Sequence, residues 1–216
     1  MEPVPAPEPA RPPKPPVPPG QRIVPPKPLA SLVVVTGFVA LLWVIEAVDT
    51  VLAHPFDDDG VWPRTIEQWD GLIWAPMLHY GWDHLAANSV PLLVLGMLAT
   101  SGGLRQFFGV TTIIWLCSGF GTFLIGSEGV HAGASGLVFG LLSFLLVRGL
   151  FARSILQILI AVGVFLLYGY ALWGVLPTEP GVSWEGHLCG AIGGILAAWM
   201  VGKSVRPPKP QPAINP

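Results

Sequence analysis

The sequence predicts an all-α polytopic membrane protein, a six-transmembrane-helix bundle with an interfacial first loop. Three observations carry this. With 52% hydrophobic and 11% charged residues and a mean hydropathy of +0.61, the chain cannot cover itself with polar surface in water. Its apolar residues fall into six runs, each long enough at about 1.5 Å per residue to cross a hydrocarbon core of about 30 Å. No run carries Lys or Arg at its centre, where such a charge costs about 2.5 to 3.5 kcal/mol on insertion scales.

Residues 1–28 are Pro-rich, with Arg11, Lys14, Arg22 and Lys27 against Glu2 and Glu8. They contain no apolar core of the signal-peptide kind and are expected to form an extended, disordered basic tail. The membrane domain follows over residues 29–202. Its first run covers 29–53, with Glu46 and Asp49 near the far end. Residues 54–75 mix acidic side chains with Trp62, Trp69 and Trp74, a pattern suited to a loop lying in the membrane interface. The second run, 81–100, is expected to be capped by Asp83 and kinked at Pro91. Ser101, Gly102 and Gly103 make a turn before the third run, 104–125, which Gly126 and Gly129 break. The fourth run covers 132–151, the fifth 154–173 and the sixth 185–202. A second Pro-rich tail occupies 203–216.

Basic residues are retained on the cytoplasmic side of a membrane. On a six-span path the N-terminal tail, Arg105, Arg148, Arg153 and the C-terminal tail all fall on one side, with Arg64 alone on the other. All acidic residues except Glu2 and Glu8 lie in or near the opposite loops. Both termini are therefore expected in the cytoplasm of a multi-pass cell-membrane protein, and the second, fourth and sixth helices start on the outer face.

That orientation gathers scattered polar residues at one depth. Ser135 is expected about one turn into the fourth helix, His187 at the start of the sixth, and His84 with Asn88 at the start of the second. Taken alone, Ser135 is more readily a packing serine bonded to its own backbone than a nucleophile. His84 and Asn88, spaced i and i+4, share one helix face and point at one target. Gly186, Gly190 and Gly194 recur every four residues, as do Gly136 and Gly140. Small residues at this spacing let helix backbones approach closely, and here they flank both Ser135 and His187. Such an approach brings imidazole and hydroxyl toward the roughly 2.6 to 3.2 Å that a nucleophile and its base require. With no carboxylate in view the pair forms a dyad, and Asn88, His84 and the Ser135 backbone N–H are the candidate oxyanion donors. No metal is expected, because no His-Glu-x-x-His motif occurs and the five histidines lack a carboxylate partner at ligand spacing. The two cysteines, both inside apolar runs, imply no disulfide framework.

In three stretches the sequence resembles the rhomboid family of intramembrane serine proteases, of bacterial type. They are His79-Tyr-Gly-Trp-Asp-His84-Leu-Ala-Ala-Asn88, Gly133-Ala134-Ser135-Gly136 and Gly186-His187-Leu-Cys-Gly190-Ala-Ile-Gly-Gly194. Their order and their placement on the second, fourth and sixth helices make the joint signal strong, over residues 29–202. The resemblance implies Ser135 as nucleophile, His187 as general base, and His84 with Asn88 on the oxyanion side. His79, Gly133, Phe139, Gly190 and Gly194 would support them. It implies transmembrane segments of membrane-protein substrates as partners within the lipid bilayer, with no nucleic acid and no cofactor. Two departures stand out. A Trp-Arg pair that often anchors the family's first loop is not found, and Phe139 occupies a position where some members have tyrosine.

Two alternatives of other classes compete. A non-catalytic membrane scaffold or chaperone that binds transmembrane helices would not need both dyad residues. A small transporter should show two related halves with paired polar half-helices, and no such repeat is present.

Overall fold

The computed structural model describes residues 17–178 and 181–205. Seven α-helices occur among them: α1 (Pro28–Val51), α2 (Gly71–Trp74), α3 (Trp82–Ala99), α4 (Leu104–Ile125), α5 (Ser135–Ala152), α6 (Ile155–Tyr168) and α7 (Trp184–Val205). Short 3-10 helices extend α3 over Thr100–Gly102 and α6 over Gly169–Val175. Five of these segments, α1, α3, α4, α5 and α6, are long and apolar enough to cross a membrane. The sixth expected span, α7, has 22 residues, but its glycines, Glu185 and His187 dilute its hydropathy. It is sheltered by its neighbours, packing against α5 and α4 in the two most extensive helix contacts of the molecule.

Spans begin and end within a few residues of expectation, and local chemistry explains the differences. Pro28 starts α1 from its first turn, where its missing N–H costs nothing. Asp83 does not cap α3: Gly81, at φ 89°, is the N-cap and Asp83 sits in the first turn. There its charge still faces the positive end of the helix. Pro91 lies inside α3, which continues through it.

The core is apolar, and unlike that of a water-soluble protein the exterior is apolar too, with several polar side chains enclosed between the helices. Leu159, Leu166, Phe120 and Val44 are exposed on the outside of the bundle, while Ser118, Thr122, Ser143 and Gln157 are buried inside it. Hydroxyls cross-link the central helices: Ser118 Oγ donates to Gly186 O at 2.9 Å and Ser143 Oγ to Ala191 O at 2.7 Å. Both bonds need bare backbone within reach, and glycine provides it. A Cβ on Gly190 would fall on the Gly136 carbonyl, and one on Gly194 on the Gly140 carbonyl. A Cβ on Gly193 would lie 2.8 Å from the Cβ of Cys117 on α4.

The N-terminal segment departs from the disordered tail expected over residues 1–28. Residues 1–16 lie outside the described part, but from residue 17 onward the chain is seated on the bundle. Pro19–Gln21 forms a 3-10 turn with Gly20 buried. The Arg22 carbonyl accepts from Arg148 Nη2 at 2.7 Å and from Gln157 Nε2 at 3.1 Å, and Gln157 Nε2 also reaches Gly20 O at 2.8 Å. Arg148 and Gln157 are themselves buried, so these donors need acceptors. A proline-rich strand with unpaired carbonyls satisfies them.

Gly190→Leu drives a side chain into the α5 backbone and is expected to destabilise by about 3 kcal/mol or more. Gly109→Ala, at an exposed helical position with nothing within 4 Å of the new methyl, should be neutral or stabilising by up to about 1 kcal/mol. Thermal unfolding of the two detergent-solubilised variants distinguishes the effects.

Candidate active site

Gly133 and Ala134 set where α5 can begin. Gly133 has φ 122°, which only glycine adopts at little cost, and its N–H is committed to Ala75 O at 2.8 Å. The helix therefore starts at Ser135 itself rather than a turn earlier, which corrects the expected position. As the first helical residue, Ser135 has a backbone N–H without an intrahelical acceptor, at the positive end of α5.

His187, on the first turn of α7, places Nε2 at 2.8 Å from Ser135 Oγ. Its other nitrogen, Nδ1, lies 2.8 Å from Gly174 O. A carbonyl can only accept, so Nδ1 carries the proton, and in the neutral ring Nε2 is left with its lone pair facing the serine hydroxyl. Phe139 stacks on the imidazole, with ring centroids 4.1 Å apart and planes 8° from parallel. Both the tautomer and the plane of the base are thus fixed. The change from tyrosine to Phe139 keeps the stack.

The opposite wall comes from the start of α3. His84 packs so tightly over Gly133 that a Cβ there would lie 2.7 Å from His84 Cε1 and 2.8 Å from Nε2. Its Nδ1 faces the Tyr80 N–H at 3.4 Å and must accept, which assigns the ring proton to Nε2, the nitrogen beside Gly133 and Ser135. Asn88 is buried and donates from Nδ2 to His84 O at 3.0 Å, leaving its second amide hydrogen for another acceptor. His79 is buried and accepts from Ala134 N–H at 3.3 Å. Its ring lies 5.1 Å from that of His84, edge to face. Ser135, His187, His84 and Asn88 all line one open cavity of about 600 Å³. Gly190 and Gly194 hold α7 against α5 from below.

Several contributors carried no signal in the sequence. Gly174 acts through its carbonyl, an atom every residue has. Glu185, buried beside His187, accepts from Ser127 N–H at 2.8 Å and so ties the loop before α5 to α7. His131 spans Ser183 Oγ at 2.7 Å and Ser127 O at 3.0 Å and forms a one-residue β-bridge with Val61. That bridge joins the first loop to the loop before α5. Arg64 adds a bond from Nη1 to Gly126 O at 2.8 Å, and Trp62 Nε1 donates to Asp58 O at 2.8 Å. Arg64, two positions after Trp62, thus ties the first loop to Gly126 where no adjacent Trp-Arg pair was found.

One expectation fails. His54 does have carboxylate partners: its Nδ1 lies 2.9 Å from Asp49 Oδ2, and Asp57 offers an oxygen to the same group. This cluster stands apart from the Ser135 cavity, at the end of α1. The contact was hidden because Ala53 and His54 adopt φ 64° and 62°, a left-handed reversal that β-carbon-bearing residues rarely make.

A family model described as Rhomboid domain matches residues 66–204, more than half of the chain. An uncharacterized protein of Mycobacterium tuberculosis (strain ATCC 25618 / H37Rv) is 46% identical over 178 residues, covering 78% of this chain and 74% of the relative. An uncharacterized protein of Mycobacterium leprae (strain TN) is 43% identical over 183 residues, 81% of this chain and 72% of its own length.

Burial, and secondly the neighbouring His84, push the pKa of His79 down from 6.5 to about 4. Between those two values the unfolded chain binds the proton that the folded chain refuses, so stability rises with pH across this window. His79 therefore contributes its full share above about pH 6.5 and loses it as the pH falls through 4. The loss is expected to reach about 3 kcal/mol, and His79→Gln should flatten that part of the unfolding-temperature profile between pH 4 and 7.

Proposed function

This chain belongs to the rhomboid family, and from that premise we propose that it is an intramembrane serine endopeptidase that cuts transmembrane segments of membrane proteins. The observation that carries the proposal is the 2.8 Å contact between Ser135 Oγ and His187 Nε2, with the imidazole tautomer set by Gly174 O. The packing hydroxyls of Ser89, Ser118 and Ser143 donate to backbone carbonyls, whereas Ser135 Oγ meets the lone pair of an imidazole nitrogen.

In the proposed reaction Ser135 Oγ attacks the scissile carbonyl while His187 Nε2 takes its proton. The imidazolium formed is stabilised by Gly174 O at Nδ1–H and by the face of Phe139. Negative charge on the carbonyl oxygen is met by the Ser135 backbone N–H, His84 Nε2–H and Asn88 Nδ2–H, donors already in place before the charge develops. His187 then protonates the leaving amine. Water entering through the open cavity is deprotonated by the same nitrogen and releases the acyl group from Ser135. Substrates are single-span proteins whose helix unwinds locally, since a peptide carbonyl held in helical hydrogen bonds cannot meet the nucleophile. The charge distribution favours cytoplasmic termini and a cavity opening toward the outer face.

Co-expression with a reporter carrying a helix-destabilised transmembrane segment tests this. Wild type should release the reporter's outer fragment, and Ser135→Ala and His187→Ala should not. Asn88→Ala should retain activity reduced about 100- to 1000-fold, the usual cost of one oxyanion donor. Equal cleavage by wild type and Ser135→Ala would refute the assignment.

A further inference from the structure

We propose that the end of α1 and the loop after it form a divalent-cation site, with Asp49, His54 and Asp57 as ligands and the carboxylate of Glu46 behind them, suited to a first-row transition ion such as Zn²⁺. It is separate from the Ser135–His187 pair and does not rest on peptidase activity. One ligand atom from each of Asp49, His54 and Asp57 lies within 4.8 Å of the other two. Metal–ligand bonds of about 2.0 to 2.2 Å to imidazole nitrogen and carboxylate oxygen set ligand atoms about 3 to 3.5 Å apart, an adjustment in which the 2.9 Å His54–Asp49 contact opens slightly and Asp57 closes in. His54 is exposed and Asp57 half-buried, so both side chains are free to make it. A mixed imidazole and carboxylate set suits zinc and its neighbours better than calcium or magnesium, which take oxygen alone.

An ion pair between His54 and Asp49 does not account for the whole arrangement. Glu46 is 2% exposed and Asp49 3% exposed, and both border a small cleft shared with Asp57, to which no Lys or Arg contributes. Glu46 Oε1 is buried there without a hydrogen-bond partner. The three carboxylates lie with two imidazoles, His54 bonded to Asp49 and His79 on the cleft wall, whose Nε2 accepts from Ala134 N–H, and a buried unpaired carboxylate oxygen costs several kcal/mol. A divalent cation supplies the missing positive charge, in a place where the C-terminal end of α1 also favours it.

The rest of the cluster is built as metal sites are. Asp49 Oδ1 accepts from Phe56 N–H at 2.8 Å, which leaves Oδ2 directed at His54 and orients the carboxylate from outside the site. The left-handed turn at Ala53 and His54 bends the chain back past the helix end, closed by His54 N–H to Asp49 O at 2.8 Å. The site also touches the catalytic cavity through its wall, because Tyr80 Oη approaches Asp57 O at 3.4 Å while the Tyr80 ring stacks over His84 at 6.4 Å.

The experiment uses the full chain in detergent, carrying Ser135→Ala so that self-cleavage plays no part, and freed of metal with a chelator. Titration with Zn²⁺ should give one saturable site by calorimetry and raise the unfolding temperature by several degrees at about 100 times the dissociation constant. His54→Gln, at an exposed position, and Asp49→Asn, which keeps the acceptor for Phe56 N–H, should each weaken binding at least about tenfold. They should remain folded by circular dichroism. No saturable binding to the parent protein, or binding unchanged in both variants, would overturn the proposal.

Discussion

The molecule depends on one constraint: α5 and α7 touch backbone to backbone. Where Gly190 meets the Gly136 carbonyl and Gly194 meets that of Gly140, no side chain of any size fits. Between apolar helices in lipid, association rests on packing and on interhelical hydrogen bonds rather than on the hydrophobic effect. The close approach supplies both. It brings the Ala191 carbonyl of α7 within reach of Ser143 on α5, and from α4 Ser118 bonds Gly186 O in the same way. It also fixes the separation of the two helix beginnings, where Ser135 and His187 stand. The distance between Ser135 and His187 is therefore a property of the helix interface, set before either side chain chooses a rotamer.

Around that pair the protein fastens its loops to one another and to the neighbouring helices α4 and α7. Val61 bridges His131, Arg64 reaches Gly126, Gly133 N–H bonds Ala75 O, and Glu185 holds Ser127. Each bond joins the first loop or α7 to the segment entering α5. Ser135 is thus held at a helix start whose preceding residues are tied on both sides. The cavity stays open above it, as the proposed hydrolysis requires.

Much of this was legible in the sequence, because the informative features were side chains with a period. Apolar runs gave the spans, glycines four apart gave the tight interface, and polar residues at matching depths gave Ser135, His187, His84 and Asn88 as one group. What escaped was carried by backbone atoms or by reversals of the chain. Gly174 contributes a carbonyl, so its residue type says nothing of the bond to His187. Ser135 opens its helix because Gly133 turns at φ 122°, whereas hydrophobic periodicity alone runs on through 132. The seat of residues 17–27 depends on Arg148 and Gln157, whose burial is visible only once α5 and α6 are packed. His54 reaches Asp49 through two left-handed residues that are not glycines, against the ordinary preference of the chain.

Among the described residues no carboxylate bonds His187 Nδ1, whose partner is Gly174 O, and energetics make this understandable. A buried anion next to the imidazole would stabilise the imidazolium, yet it must first be taken out of water at a cost of several kcal/mol, and deeper in a membrane the cost is greater. A backbone carbonyl asks for no such desolvation, since its partner would otherwise be missing as well. Gly174 O fixes the tautomer as a carboxylate would, and the Phe139 face gives the ring a second restraint and a mild preference for positive charge. The two together orient the base using neutral groups only. Glu185, two residues before His187, directs Oε1 to the backbone N–H of Ser127 and so bonds the loop before α5 rather than the imidazole.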